Sequence, residues 1–197
     1  MSVSKLAAQY YWIDARDFAD RFDLLWEAQL HKTGRIKTFV DLFMGCECLL
    51  KCHIFLANEG CPSVEIYRKF RAKNKGHEIE HLAALATLFK DRSDIEFISI
   101  RLKQFSVLVR YSLDSYAAFF PALIERKNLK ISYSETIGDN AWVLEIRTAL
   151  RRLIQVTSLE FTGVVNDSIE DILKCEEEMD EFMAVIAPRI NPKPRPL

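Results

Sequence analysis

The sequence predicts an all-α protein, an antiparallel up-and-down helical bundle with helical additions at its N and C termini. Apolar residues recur at steps of three and four along most of the chain, and almost no stretch alternates strictly between apolar and polar residues. Glycine, proline and asparagine separate these periodic segments at short intervals, as residues that mark turns do. Amphipathic helices with short connections pack against one another as a bundle.

The N-terminal half is predicted to contain three helices before a break. The first covers 5–32, because Gly34 is a typical residue just after a helix end. The second covers 36–58 and is apolar on most sides, which indicates a central or interface helix. Pro62 suits the first position of a short third helix that ends near residue 73.

The remaining helices are predicted from the same periodicity. Ser93 and Glu96 form a capping-box pattern at the start of a long helix, which Pro121 bends or ends. The polar stretch 125–140 predicts a connection. The predicted helices of this half cover 78–90, 94–120, 142–161 and 169–187.

Length and charge limit the possible classes of protein. A chain of 197 residues can bury one full core, and we expect a single helical domain over 1–187 and a proline-rich tail over 188–197. The net charge of -1 means that binding to nucleic acid requires a local basic patch. Five cysteines, three of them on one predicted helix, favour free thiols. With no signal-peptide pattern and no long uncharged apolar stretch, we expect a cytoplasmic protein without membrane contact.

Three motifs follow one another in the middle of the chain. An apolar helix carries a Glu and a Lys among small residues in Gly45-Cys-Glu-Cys-Leu-Leu-Lys-Cys-His. After a Gly/Pro turn the next helix begins with Gly76-His77-Glu78-Ile79, and a later one contains Leu108-Val-Arg110-Tyr111. This order resembles the HEPN superfamily, a group of small helical bundles that bind nucleotides or RNA. The resemblance implies a HEPN-like core at about 36–161.

The resemblance also separates two functions. Catalytic members are metal-independent ribonucleases. They use an Arg and a His near the end of one helix, and these two residues meet the same pair of the second copy across a dimer. Here Arg110 holds the position of the Arg, but Tyr116 stands where the His would be. A tyrosine exchanges protons poorly near neutral pH, because its unperturbed pKa is about 10. We therefore expect a non-catalytic binding module for RNA, a nucleotide or a protein partner.

The expected ligand cleft of this module contains Arg110, Asp114, Tyr116 and His77. A homodimer through the apolar second and fourth helices is expected as well. The alternative is a metal-independent ribonuclease with a degenerate site, in which Arg110 stabilises phosphate charge and either His77 or His53 acts as acid or base. Arg71 and His77 also have the spacing of the ribonuclease motif, although the helix-breaking residues between them argue against the usual geometry.

The most concentrated positive charge of the chain lies just before His77. Five cations within eight residues, beside Tyr67 and Phe70, predict contacts with phosphates and rings on which bases can stack. A solvated helix face is the alternative explanation. The five cations are Arg68, Lys69, Arg71, Lys73 and Lys75.

Patterns typical of metal sites are weak. His77-Glu78-x-x-His81 matches the zinc-peptidase pattern in which two imidazoles bind the ion and the Glu activates water, but Gly76 places His77 at the very start of its helix. Glu78-x-x-His81 is also half of a di-iron signature whose other half is missing. Cys48 and Cys52 share a helix face and fit buried thiols. We expect no metal and no cofactor, with a zinc-dependent peptidase as the least favoured alternative.

Overall fold

The computed structural model describes residues 2–28, 31–106, 119, 131–162 and 168–187. Within these residues there are helices and turns and no strand, which confirms the all-α prediction for this part of the chain. The helix predicted over 94–120 ends at Leu102, and residues 103–106 are described and not helical. Residues 107–118 and 120 of that prediction and the tail over 188–197 lie outside the described residues. The helices are α1 (Val3–Trp26), α2 (Lys32–Ala57), α3 (Ser63–Arg71), α4 (Ile79–Leu85), α5 (Ser93–Leu102), α6 (Asn140–Thr157) and α7 (Ile169–Ile186), with 3-10 turns over Ala72–Asn74 and Ser158–Phe161.

The boundary between α1 and α2 differs from the prediction. The first helix ends at Trp26, and Gly34 lies inside the first turn of the next one. Its backbone N–H donates to Nδ1 of His31 at 3.0 Å, so the His31 side chain caps a helix N-terminus that would otherwise leave this donor unpaired. Glycine at this position therefore starts a helix instead of ending one.

The region between α4 and α5 also differs. The predicted capping box is wrong, because α5 begins at Ser93 itself and its N-cap residue, Arg92, makes no side-chain hydrogen bond to the helix N-terminus. The N–H of Ser93 donates to Oδ1 of Asp91 at 2.9 Å. The helix predicted over 78–90 ends earlier, at Leu85. Arg92 donates to the carbonyl oxygen of Ala83 at 2.6 Å, and this contact satisfies one acceptor of the shortened helix end.

The first two helices form an antiparallel hairpin. Tyr11 stacks on Phe55 near one end, with ring centres 5.8 Å apart, and the Arg35 guanidinium lies 4.2 Å from the Trp26 ring centre at the other end. Midway along, Gly45 of α2 faces α1 so closely that an added Cβ would lie 3.2 Å from a main-chain oxygen of α1. The absence of a side chain at Gly45 therefore allows the two backbones to approach.

The helix α6 extends the core by packing on both helices of the hairpin. Trp12 of α1 donates to the carbonyl oxygen of Ile154 at 3.0 Å, and Phe39 of α2 contacts Trp142, with ring centres 5.8 Å apart. α2 is buried along most of its length, as its apolar sequence predicts for a central helix. Because the chain's own helices bury α2, a second copy would have to contact another surface.

The last helix covers one side of the bundle. Phe182 of α7 is buried edge-on against Phe55 and Tyr67, with ring centres 5.9 and 5.8 Å away. Glu178 accepts from the backbone N–H and the hydroxyl of Ser63 at the start of α3, at 3.1 and 2.6 Å. One apolar core cluster extends from the first helix to the last. Among the described residues, no helix is long and apolar enough to cross a membrane.

Candidate functional site

The chain reverses direction sharply after α3. Lys73 and Asn74 have backbone φ angles of 57° and 63°, in the left-handed region that residues other than glycine seldom adopt. The reversal brings Gly76 against Arg71, so that an added Cβ at Gly76 would lie 3.0 Å from the Arg71 Cγ. The end of α3 and His77, which follows Gly76, therefore lie side by side.

The five cations predicted to contact phosphates surround this reversal, and we call them the basic turn. The basic turn consists of Arg68, Lys69, Arg71, Lys73 and Lys75. Lys75 pairs with Glu78 at 3.1 Å, and Arg71 donates to the Tyr67 hydroxyl at 2.5 Å with its guanidinium 5.3 Å from that ring's centre. The other three cations are exposed and form no ion pair with any described residue. They leave an uncompensated local positive charge, which attracts phosphates.

His77 lies beside the basic turn and is held by a buried carboxylate. Its Nδ1 is 2.9 Å from Oε1 of Glu47, and the exposed fraction is 55% for the His77 side chain but 1% for that of Glu47. A carboxylate only accepts hydrogen bonds, so Nδ1 carries the proton in this contact. In the neutral imidazole, Nε2 then has a free lone pair.

Glu47 is also paired with Lys51, one turn later on α2. The Lys51 Nζ lies 2.6 Å from Glu47 Oε1 and both side chains are buried. Nζ also lies 5.8 Å from the centre of the Tyr11 ring and 5.7 Å from that of Phe70, where the negative ring faces attract a cation. The second carboxylate oxygen, Oε2, has no hydrogen-bond partner among the described residues. A buried ion pair left partly unsatisfied suits a functional role better than a purely structural one.

The rings of Tyr11 and Phe70 beside Lys51 form an aromatic, uncharged wall of this site. Burial, with smaller contributions from Tyr67, Cys48, Glu47 and Asp14, raises the pKa of Tyr11 above its usual range. The Tyr11 hydroxyl therefore stays protonated and adds no charge beside Lys51.

Sequence reasoning proposed His77 and the basic turn as site residues but gave no role to Glu47 and Lys51. Their separation along the chain from His77 hides the contact, although an acid and a base one turn apart inside a mostly apolar stretch of a helix are a usable signal.

The two histidines of the zinc-peptidase pattern contact different hydrogen-bond partners. α4 begins at Ile79, so His77 precedes the helix and is bonded to Glu47. His81 lies within the helix, with Nε2 3.1 Å from the carbonyl oxygen of Phe70. The one-turn helical spacing that presents two imidazoles to one ion is not formed here. Across the described residues, no group of three or more His, Cys, Asp or Glu side chains could hold a metal ion.

The other candidate acid or base and the thiols of α2 are buried. His53 is 0% exposed, and burial lowers its pKa to about 4, so it cannot meet a ligand at the surface. Burial raises the pKa of the Cys48 thiol to about 12 and also raises those of Cys46 and Cys52. All five cysteines are free, as predicted, and the three on α2 are inert core residues.

Three residues predicted to bind a ligand, Arg110, Asp114 and Tyr116, lie outside the described residues. The part of the chain that the structure describes therefore brings together His77 and the basic turn, and it adds Glu47 and Lys51 to them.

A concave surface lies between α5 and α6. It has a volume of about 740 Å³ and is lined by Phe97 and by two ion pairs, Arg101 with Glu145 and Arg152 with Asp94. These pairs neutralise the charges of the groove, whose lining includes none of the predicted site residues. It lacks the uncompensated cations that distinguish the basic turn.

Comparisons with known proteins identify no relative of this chain. No protein-family model, no curated protein and no solved structure matches the chain. The function therefore has to be argued from the site itself.

Proposed function

We propose that this chain is a HEPN-like binding module that binds single-stranded RNA through the basic turn and His77. The observation that carries the proposal is the set of three exposed cations without ion-pair partners in the described residues, in a chain whose net charge is -1. Charge that the protein itself leaves unneutralised is available to the phosphates of a ligand.

Several features favour an RNA strand over a single nucleotide. The cations extend from the last turn of α3 around the reversal to Lys75, so they can contact successive phosphates. The planar guanidinium of Arg71, held over Tyr67, offers a face on which a base can stack. Glu47, Lys51 and His77 come from the motifs that resemble the HEPN superfamily, and this resemblance also favours RNA.

Binding should be tested with matched triple variants. We expect the triple substitution Arg68→Gln, Lys69→Gln and Lys73→Gln to weaken binding of a labelled RNA of about 20 nucleotides by roughly tenfold or more, because phosphate contacts dominate affinity. The control triple, Lys37→Gln, Lys90→Gln and Lys103→Gln, removes the same charge from other exposed positions and should change affinity less than about twofold. Fluorescence anisotropy at one fixed salt concentration, with a chelator present, measures both.

The outcomes separate the possible ligands. Equal losses in the two triples would mean that overall charge, and not the basic turn, determines binding, and the proposal would be wrong. Binding of a mononucleotide as tightly as RNA would identify a nucleotide module. Absence of RNA binding by the unmodified protein would contradict the proposal and leave a protein partner as the expectation.

A second candidate function, a metal-independent ribonuclease, is favoured by the contact between Glu47 and His77. An exposed histidine oriented by a buried carboxylate is a typical general acid or base. Under this alternative, RNA is cleaved in the presence of chelator and His77→Ala abolishes cleavage while most of the binding is retained. Under the proposed function, the RNA stays intact with the unmodified protein.

A further inference from the structure

We infer that His77 makes the basic turn selective for RNA over DNA, by accepting a hydrogen bond at Nε2 from a ribose 2′-hydroxyl. This inference rests on the proposed function, because it concerns a nucleic acid already held by the basic turn. It assigns to His77 a role in specificity in addition to a place in the site.

The proton of neutral His77 has a fixed position on Nδ1. Glu47 is buried and paired with Lys51, so its carboxylate is held in place behind the imidazole. The 2.9 Å contact to Nδ1 requires a proton on that nitrogen. Nε2, on the opposite side of the ring, is therefore an acceptor in the neutral form, and more than half of the side chain is exposed to a ligand.

Few groups of a nucleic-acid backbone can donate a hydrogen bond to the Nε2 lone pair. Phosphate oxygens are acceptors, so they bind the cations of the basic turn and not an acceptor nitrogen. A sugar–phosphate backbone of DNA carries no donor along its length, whereas each ribose of RNA carries a 2′-hydroxyl that can donate. An acceptor placed beside a phosphate-binding surface therefore distinguishes the two sugars.

His77 and the basic turn lie close together. Gly76 packs against the Arg71 stem, and this contact places His77 immediately beside the cations. A nucleotide whose phosphate lies on the basic turn then presents its own sugar to the imidazole. With a larger residue at position 76 the Arg71 stem would have to shift, because an added Cβ would lie only 3.0 Å from the Arg71 Cγ.

The test compares three probes that share one base. Oligouridine of about 20 nucleotides, longer than the roughly 4–16 nucleotides that one single-strand-binding fold covers, is measured beside its 2′-deoxy and 2′-O-methyl counterparts. The deoxy probe lacks the 2′ oxygen, and the methylated probe keeps that oxygen but loses the donor. We expect the unmodified protein to bind the ribose probe about three- to tenfold more tightly than either other probe, the effect of a single partly exposed hydrogen bond.

Two variants locate the effect at His77. His77→Phe keeps an aromatic ring but removes the acceptor, so the ribose probe should weaken to the affinity of the other two, which should not change. His77→Gln offers an amide that can donate to Glu47 and a carbonyl oxygen that can accept, so part of the preference should return. Circular dichroism and urea unfolding check that both variants are folded.

Each other outcome overturns a defined part of the argument. Similar affinities of the unmodified protein for all three probes would contradict the inference and leave the proposed function intact. A preference that persists in His77→Phe would assign sugar selection to another residue, and equal weakening of all three probes would assign the contact to a base or a phosphate. No binding of any probe would contradict the proposed function, and the inference with it.

Discussion

At the level of single residues, Glu47 and Lys51 are a buried charged pair on α2, the central and mostly apolar helix of the bundle. Transfer of two charges out of water has a penalty that their attraction offsets only in part, and well-packed apolar residues at such positions often give equal or greater stability. The retention of charge here is therefore best explained by the contact that Glu47 makes to His77.

This explanation predicts a specific pattern of stability changes. Glu47→Leu leaves the Lys51 ammonium buried without its partner and should lower the free energy of unfolding by about 3–5 kcal/mol. The double substitution Glu47→Leu and Lys51→Met removes both charges and should restore most of that loss. Urea unfolding of the two variants and the unmodified protein measures the difference. Equal stabilities of the single and double variants would show that the pair is not desolvated.

His53 is a buried histidine of a different kind. The Thr157 hydroxyl donates to the carbonyl oxygen of Leu153 at 2.6 Å, so it accepts from His53 Nε2 at 2.7 Å. Nδ1 of the same ring is buried without a hydrogen-bond partner among the described residues. Protonation at Nδ1 would create a buried, unpaired donor, and the lowered pKa of about 4 follows from this burial.

The lowered pKa of His53 predicts a loss of stability in mild acid. The unfolded chain takes up this proton near pH 6.5 and the folded protein only near pH 4, so the full stability is present above pH 6.5 and decreases as the pH falls toward 4. The total loss from this group is about 3 kcal/mol. Urea unfolding of the unmodified protein and of His53→Gln between pH 7 and 4 isolates it, because carboxylates contribute equally to both. Parallel pH profiles would contradict this explanation.

At the level of helices, the sequence pattern predicts the interiors well and the ends poorly. The mostly apolar sequence of α2 and the amphipathic spacing of α6 each depend on many residues, so a single exception does not obscure either pattern. A helix end depends on one or two polar contacts. Capping by His31 and the contact of Arg92 with α4 both use side chains that are unusual in these roles, and no spacing rule anticipates them.

The last helix is expected to be the least stable one. Phe182 is the one residue of α7 that is buried, and Ile172 on the same helix is 48% exposed. Phe182→Ala should therefore lower the protection of α7 amides from hydrogen exchange by the several kcal/mol that a lost core ring gives, while the hairpin of α1 and α2 stays protected. Ile172→Ala is the matched control and should change little. A loss of protection throughout the molecule would mean that α7 is required for the core.

At the level of the whole molecule, the net charge is close to zero and gives no sign of the basic turn. With a net charge of -1, long-range attraction to RNA is weak, and binding depends on contacts with nearby phosphates. Each such contact adds about 0.7 to the slope of log affinity against log salt concentration for a single strand. The triple variant of Arg68, Lys69 and Lys73 should therefore lower this slope by about 2. Titrations at several salt concentrations measure it, and an unchanged slope would place the phosphates elsewhere.

The candidate site could be predicted only in part, because one of its contacts depends on how distant helices pack together. The basic turn and His77 are contiguous in sequence, so composition and motif identify them together. Glu47 reaches His77 only because α2 passes behind the reversal that follows α3. Contacts between distant segments are set by the packing of whole helices, and local spacing carries no information about them.

The antiparallel hairpin of α1 and α2 also has a consequence for how the protein is made. The hairpin joins neighbouring parts of the chain, whereas α6 packs on it from far along the sequence. On a ribosome, the hairpin can form as soon as residue 57 has emerged. At that stage Phe39 and the surface around it are not yet covered by Trp142. We expect the nascent chain to present this uncovered apolar surface to chaperones until α6 has been synthesised.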